Sequence, residues 1–261
     1  MKQVLRALTI AMIILWLSLG ILVVTIVHSA SKISIDIDDP VMDVHDKTLI
    51  IQFPFAIKNH GYYKVVNLNL TTVLYEPNGD EIIRGQTMIP LVPGGKEKKA
   101  VHNMSFHMEN LISKNEKYMF EDLNLTLITF ASISFEHIVS FHARYNTTFN
   151  WGALLYNLSI GKITFRDINE TNCELSFPLS FENHSPYLAV SGTIKIEIYN
   201  ENYEKIGESV KLIDAQPNSV YYKHLSILVD STKVTPSGTI QLSFQTSMFD
   251  FGPLVFEYET V

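Results

Sequence analysis

The chain begins with an unbroken apolar run and then changes period. No charged residue occurs from Ala7 to Val27. Twenty-one residues at a helical rise of about 1.5 Å cover roughly 30 Å, the thickness of the hydrocarbon layer of a bilayer. The run therefore predicts a membrane-spanning helix over residues 7–28. From Ile33 onward the period is two. Ile33, Ile35 and Ile37 alternate with Ser34, Asp36 and Asp38. Val66, Leu68, Leu70, Thr72 and Leu74 alternate with Asn67, Asn69, Thr71 and Val73, and Ile194, Ile196 and Ile198 alternate with Lys195 and Glu197. Such alternation predicts strands with one face toward a core and one toward solvent. Turn signals divide them at Glu76-Pro77-Asn78-Gly79-Asp80, Pro93-Gly94-Gly95, Ile168 to Thr171, Gln216-Pro217-Asn218 and Pro236-Ser237-Gly238. Short strands at this spacing predict antiparallel sandwiches.

The pattern occurs twice. Phe53-Pro54, Asn59-His60, Tyr63, Val66, Tyr75 and Asn78 recur 124 residues later as Phe177-Pro178, Asn183-His184, Tyr187, Val190, Tyr199 and Asn202. A period of this length duplicates a whole domain, because solenoid units run to roughly 20–50 residues. Short helical turns are predicted at Met108 to Asn115 and at Asp230 to Val234. Each copy is expected to close with an aromatic-rich hairpin, Leu125 to Tyr145 and Ile240 to Tyr258. The predicted class is all-β: two tandem antiparallel β-sandwich domains, 31–148 and 151–261, preceded by a single transmembrane α-helix and a cytoplasmic stretch, 1–6. A joint is expected near Tyr145 to Gly152, with Trp151 packed between the copies.

A cleaved secretory signal is the rival reading of the N-terminus. Its apolar region would run about 7–15 residues, so the length favours an uncleaved anchor. Lys2 and Arg6 precede the helix while Asp36, Asp38 and Asp39 follow it. The positive-inside bias then predicts a cell-membrane protein with a cytoplasmic N-terminus and extracytoplasmic domains. Asn-x-Ser/Thr sequons at Asn69, Asn103, Asn124, Asn146, Asn157, Asn169 and Asn183 make these seven residues candidate glycosylation sites. Beyond the anchor, 18 Lys and Arg stand against 27 Asp and Glu, with no basic stripe. Nucleic acid and anionic head groups are therefore poor partners for this region.

Each candidate chemical site has a structural reading that outweighs it. Cys173, the single cysteine, cannot form an intramolecular disulfide. It shares a strand face with Leu175 and Phe177, as a buried residue would. His60 and His184 are repeated, but no further ligands are repeated beside them, so a role in the turn outweighs a metal site. His102 and His107, like His137 and His142, stand five apart and face opposite sides of a strand. Asp36 and Asp38 occupy the polar face of an alternating strand and lack calcium-loop spacing. No nucleophile elbow, metalloprotease helix, phosphate loop or Cys-x-x-Cys occurs. These residues predict no enzyme, no catalytic or metal-binding residue and no cofactor.

The order of motifs resembles the late embryogenesis abundant group 2 domain, also called the water stress and hypersensitive response domain. The matching features are a strand ending in Asn59-His60, an alternating strand from Leu68 to Tyr75, Asn78-Gly79, Gly85 and Pro93-Gly94. The second copy repeats them as Asn183-His184, Ile194 to Tyr199, Asn202 and Gly207, without the Asn-Gly turn. Asn-His stands where the family commonly has Asn-Pro. The resemblance implies small β-sandwiches without cofactor or known catalytic residues, and members displayed outside the cytoplasm or in a lumen on one N-terminal helix. Together with the pattern it predicts a non-enzymatic binding, structural or envelope stress-protection role with an unidentified extracytoplasmic protein partner. The alternative is a carrier of lipid or another apolar ligand at the membrane surface, which would need a cavity between sheets.

Overall fold

The computed structural model describes residues 2–259. Helix α1 (Lys2–Ala30) leads directly into β1 (Ile33–Ile37), with only a two-residue turn between them. The apolar side chains of α1 are exposed from Leu8 to Ile21, and the helix is long and apolar enough to cross a bilayer. Within the described residues nothing packs against the sides of this stretch of the helix.

The first sandwich consists of β1, β2 (Val41–His45), β3 (Thr48–Asn59), β4 (Val65–Tyr75), β5 (Glu81–Val92), β6 (Lys96–His107), β7 (Leu123–Phe135) and β8 (Val139–Trp151). One sheet has β3 at its centre, with β1 and β2 sharing one side and β6 on the other; the second sheet runs β5-β4-β7-β8. Two short helices, α2 (Met108–Lys114) and α3 (Lys117–Phe120), connect β6 to β7.

The second sandwich repeats this plan strand for strand. Strands β9 (Tyr156–Ile160) and β10 (Thr164–Asp167) share one side of β11 (Asn172–Asn183), and β14 (Ser219–Asp230) takes the other. Strands β13 (Lys205–Ala215), β12 (Val190–Asn200), β15 (Ser237–Thr246) and β16 (Asp250–Glu259) follow in the order β13-β12-β15-β16. One bridge, Gly207 with Val229, links the two layers. Strands β3 and β11 begin and end 124 residues apart, so the sequence repeat is a repeat of structure. A single 3-10 turn (Ser231–Lys233) replaces α2.

Two local expectations change. The joint expected from Tyr145 to Gly152 is the second half of β8 as far as Trp151, paired in register with β7. Alternation of Tyr145, Thr147, Phe149 and Trp151 sustains that strand, and the true turn comes after it. In β4, Asn67 takes a positive φ of 52°, and the register against β7 slips between Val66 and Asn69. This bulge inserts one residue, so Val65 joins Leu68 in the apolar cluster nearest α1, while Val66, also buried, lies outside that cluster.

The cores differ between copies. All of the second core, together with the joint and the distal half of the first sandwich, forms one apolar cluster. The half of the first sandwich nearest α1 forms a separate cluster of Phe55, Ile57, Val65, Leu68, Ile89, Val92 and Phe135.

Candidate functional site

The repeated Asn-His motif builds the two contacts that set the molecule's shape. Asn59 and Asn183 end their strands fully buried. Asn59 Nδ2 donates to Tyr63 O at 2.9 Å and Val92 O at 3.1 Å, and its Oδ1 accepts from Gly61 N at 3.1 Å. Asn183 Nδ2 donates to Leu188 O, Ala215 O and Gln216 O at 2.7, 3.2 and 3.1 Å, and its Oδ1 accepts from Ser185 N at 3.1 Å. One amide thus closes an Asx-type turn and donates to carbonyls of the following loop and of a distant strand end.

The loop after each Asn-His receives the element that precedes its copy. His60 N donates to Lys32 O at 3.1 Å, and His184 N donates to Ala153 O at 2.8 Å. In the first copy the loop holds the end of α1: Ser29 is fully buried, and its Oγ accepts from Tyr63 N at 3.2 Å. A Cβ on Gly61 would lie 2.7 Å from Ser29 O, so glycine is required for this approach. In the second copy the loop holds residues 151–153, and a Cβ on Gly152 would meet the His184 carbonyl.

The joint also holds a cluster of titratable groups. His184 Nδ1 faces Asp122 Oδ2 at 2.9 Å, and Nε2 faces Glu182 Oε2 at 3.0 Å. Tyr156 stacks on the ring at 4.2 Å. Asp122 belongs to the first copy, entering β7, and its Oδ1 also accepts from Ala153 N at 2.9 Å. Ionised carboxylates only accept, so the two contacts are made together by the protonated ring, and both carboxylates favour that form. Hydrogen bonds to Glu182 first, and then to Asp122, raise the His184 pKa. Burial alone would raise Asp122, but the Ala153 N–H and His184 hold it below its ordinary value. The His184 bond also lowers Glu182. In the protonated form both nitrogens are engaged by carboxylates. The cluster ties Asp122 of the first copy to His184 of the second.

Apolar contacts and a second ion cluster complete the joint. Trp151 is 5 % exposed, meets Tyr118 edge to face with ring centroids 5.8 Å apart, and donates from Nε1 to Tyr118 O at 2.8 Å. Leu155 N donates to Met119 O at 2.7 Å, and Phe120 meets Phe251 at 5.6 Å. Lys47 Nζ reaches Glu109 Oε1 at 2.5 Å in α2 and Asp250 Oδ2 at 2.7 Å in β16. Trp151 thus lies at the end of the first copy, in the apolar cluster that continues into the second. Beside it lies an open cleft of about 560 Å³ whose walls include Asp122, Trp151 and His184.

The remaining candidates are dispersed. Cys173 is 3 % exposed, and burial, with a smaller effect from Asp167, raises its thiol pKa. Asp36 is held by Lys58 at 2.5 Å. His102 is buried in the first core, whereas His137 sits in the β7–β8 turn with φ 61°. Among the described residues, no three His, Cys, Asp or Glu side chains converge as metal ligands. Of the seven sequon asparagines, Asn103, Asn124, Asn146, Asn157 and Asn169 are exposed and Asn69 is half-buried. Asn183 is a correction: a glycan on Nδ2 is incompatible with its three hydrogen bonds and full burial. Sequence reasoning missed Asp122, because a partner 62 residues away leaves no local signal, and did not pair Glu182 with His184 although the two stand only two residues apart.

No protein-family model matches the chain, and no curated protein matches it. Solved structures with some likeness include a red sea bream transglutaminase, 15 % identical with a TM-score of 0.28, covering 82 % of this chain and 29 % of that one. A beta-glucuronidase of glycoside hydrolase family 2 is 10 % identical with a TM-score of 0.32, covering 80 % and 23 %. A putative beta-galactosidase from Bacteroides fragilis is 8 % identical with a TM-score of 0.34, covering 83 % and 33 %. The chain spans a third or less of these three proteins, and at these scores the likeness carries no argument about activity.

Proposed function

We propose that this chain is a single-pass membrane protein that displays two late embryogenesis abundant group 2-like sandwiches outside the cytoplasm in a non-enzymatic role, binding or bracing a protein partner. The observation that carries the reading is the seating of α1. An apolar helix with exposed sides ends in a buried contact, Ser29 against Gly61 and Tyr63. A signal sequence destined for removal would not form part of the mature domain's packing. The joint supports a display role, since its titratable groups are consumed in holding the copies together.

Alkaline extraction of membranes followed by N-terminal sequencing tests the anchor. Retention in the membrane with residue 1 or 2 at the N-terminus is expected; release, or a start near Ser29, refutes it. Protease added to intact cells should degrade the region beyond Ile33, and full protection would reverse the topology. Cross-linking on intact cells, followed by identification of the linked protein, tests the partner.

A further inference from the structure

The end of the first sandwich that receives α1 carries exposed groups that core packing does not use. Three turns meet there. The β5–β6 turn abuts the loop after β3, because a Cβ on Gly94 would lie 2.8 Å from Tyr62 O. The β7–β8 turn joins them through Glu136 N to Lys64 O at 3.3 Å and an ion pair between Lys64 and Glu136 at 2.9 Å. From this end project Tyr62, 77 % exposed, and Ile138, 64 % exposed at a turn tip. A large apolar side chain at the tip of a turn is costly in water and favourable at a bilayer surface.

The position of these groups along α1 identifies what covers them. Tyr63 Oη lies 2.8 Å from Thr25 Oγ1, and the Tyr62 ring stacks on His28 at 6.0 Å. Thr25 and His28 both fall inside the apolar window from Leu8 to Ala30. Thr25 lies about 7.5 Å before the end of that window at the helical rise per residue. The whole window is roughly 34 Å long, against a hydrocarbon layer of about 30 Å. The loop therefore reaches back beside the last turns of the span, to the level where tyrosine is favoured because its ring is apolar and its hydroxyl is wet. Lys32 and Lys96 are exposed near this level, where an ammonium meets phosphate.

We propose that this end of the first sandwich is a second membrane contact: Tyr62 and Ile138 lie in the head-group layer of the bilayer that α1 crosses. The chain then stands on the lipid surface in a fixed orientation, with the joint and the second sandwich held away from it. This rests on the anchor reading, and the experiment separates the two.

The full chain is reconstituted in phosphatidylcholine vesicles with and without doxyl-labelled lipid. A fluorescent nitrobenzoxadiazole probe is attached through Tyr62→Cys, Ile138→Cys or Tyr203→Cys. Tyr203, 85 % exposed in the second copy, is the control, and buried Cys173 leaves the parent chain unlabelled. In that parent, doxyl quenching of Trp16 reports the span, while Trp151 stays bright inside the joint. The expected result is blue-shifted emission at 62 and 138, quenched at least about twofold more than at 203, as for groups at head-group depth. Quenching of Trp16 with probes at 62 and 138 as water-exposed as the one at 203 overturns this inference and leaves the anchor standing. Absence of quenching at Trp16 overturns both.

Discussion

The two sandwiches share a strand plan and differ in the middle layer of their cores. In the second copy, Ile196 on β12 pairs with Leu242 on β15, and both are fully buried. The matching cross-strand pair in the first copy is Thr72 and Thr129, joined through their hydroxyls at 3.1 Å. Phe177 stands opposite Leu225 in the second copy, whereas Phe53 stands opposite His102 in the first. His102 is 1 % exposed; its Nδ1 meets Thr87 Oγ1 at 2.9 Å and its Nε2 has no partner. This layer separates the first core into its two clusters. A duplicated fold thus tolerates a polar belt in one copy and a continuous apolar core in the other, because strand pairing is common to both and only the filling differs.

The two histidines that distinguish these regions respond oppositely to pH. Burial lowers the His102 pKa, so the unfolded chain binds the proton more readily. The first sandwich therefore loses stability as pH falls through the unfolded value near 6.5. His184 is raised, so its contribution is complete below about 6.5 and is lost as pH rises through its elevated folded value.

Removing the buried aromatic at the head of the joint should have the largest effect. Trp151→Ala should cost about 3–5 kcal/mol and divide one calorimetric transition into two; a single transition would mean that the copies do not depend on the joint. Asn183→Ala should come next, at about 3 kcal/mol, with Asn59→Ala at about 2, because three and two carbonyls respectively lose their donor. Equal losses in urea titrations would contradict that difference in satisfied groups. His102→Leu gives the first core the second copy's residue. It should gain about 1–2 kcal/mol by removing an unpaired buried nitrogen and abolish the acid-side loss. Finally, His184→Gln should give the smallest change: a lower Tm at about pH 6 and the parent's value well above it, since only the imidazolium is replaced. A Tm difference unaffected by pH would deny the charge on the ring.

Much of the plan is legible in the residues because its causes are local. Alternation set the strands, Pro, Gly and Asn set the turns, and the 124-residue repeat predicted a second sandwich. Asn59 and Asn183 were legible as turn residues, since an Asx bond spans two positions. Their further hydrogen bonds to Val92 and Ala215 were not, because those carbonyls come from distant strands. The bulge at Asn67 also lay beyond reach, since alternation alone places Val66 and Leu68 on one face.

By itself, then, the sequence determined an apolar helix ahead of two copies of one all-β plan, without a local catalytic signature. Periodicity and repetition are properties of neighbours along a chain. Tertiary structure alone decided that α1 is seated rather than tethered, that Asp122 closes on His184, and that His102 stands where the other copy has leucine. Each of these depends on which strands meet across a sandwich or a joint, and such meetings are set by packing over separations that local spacing does not encode.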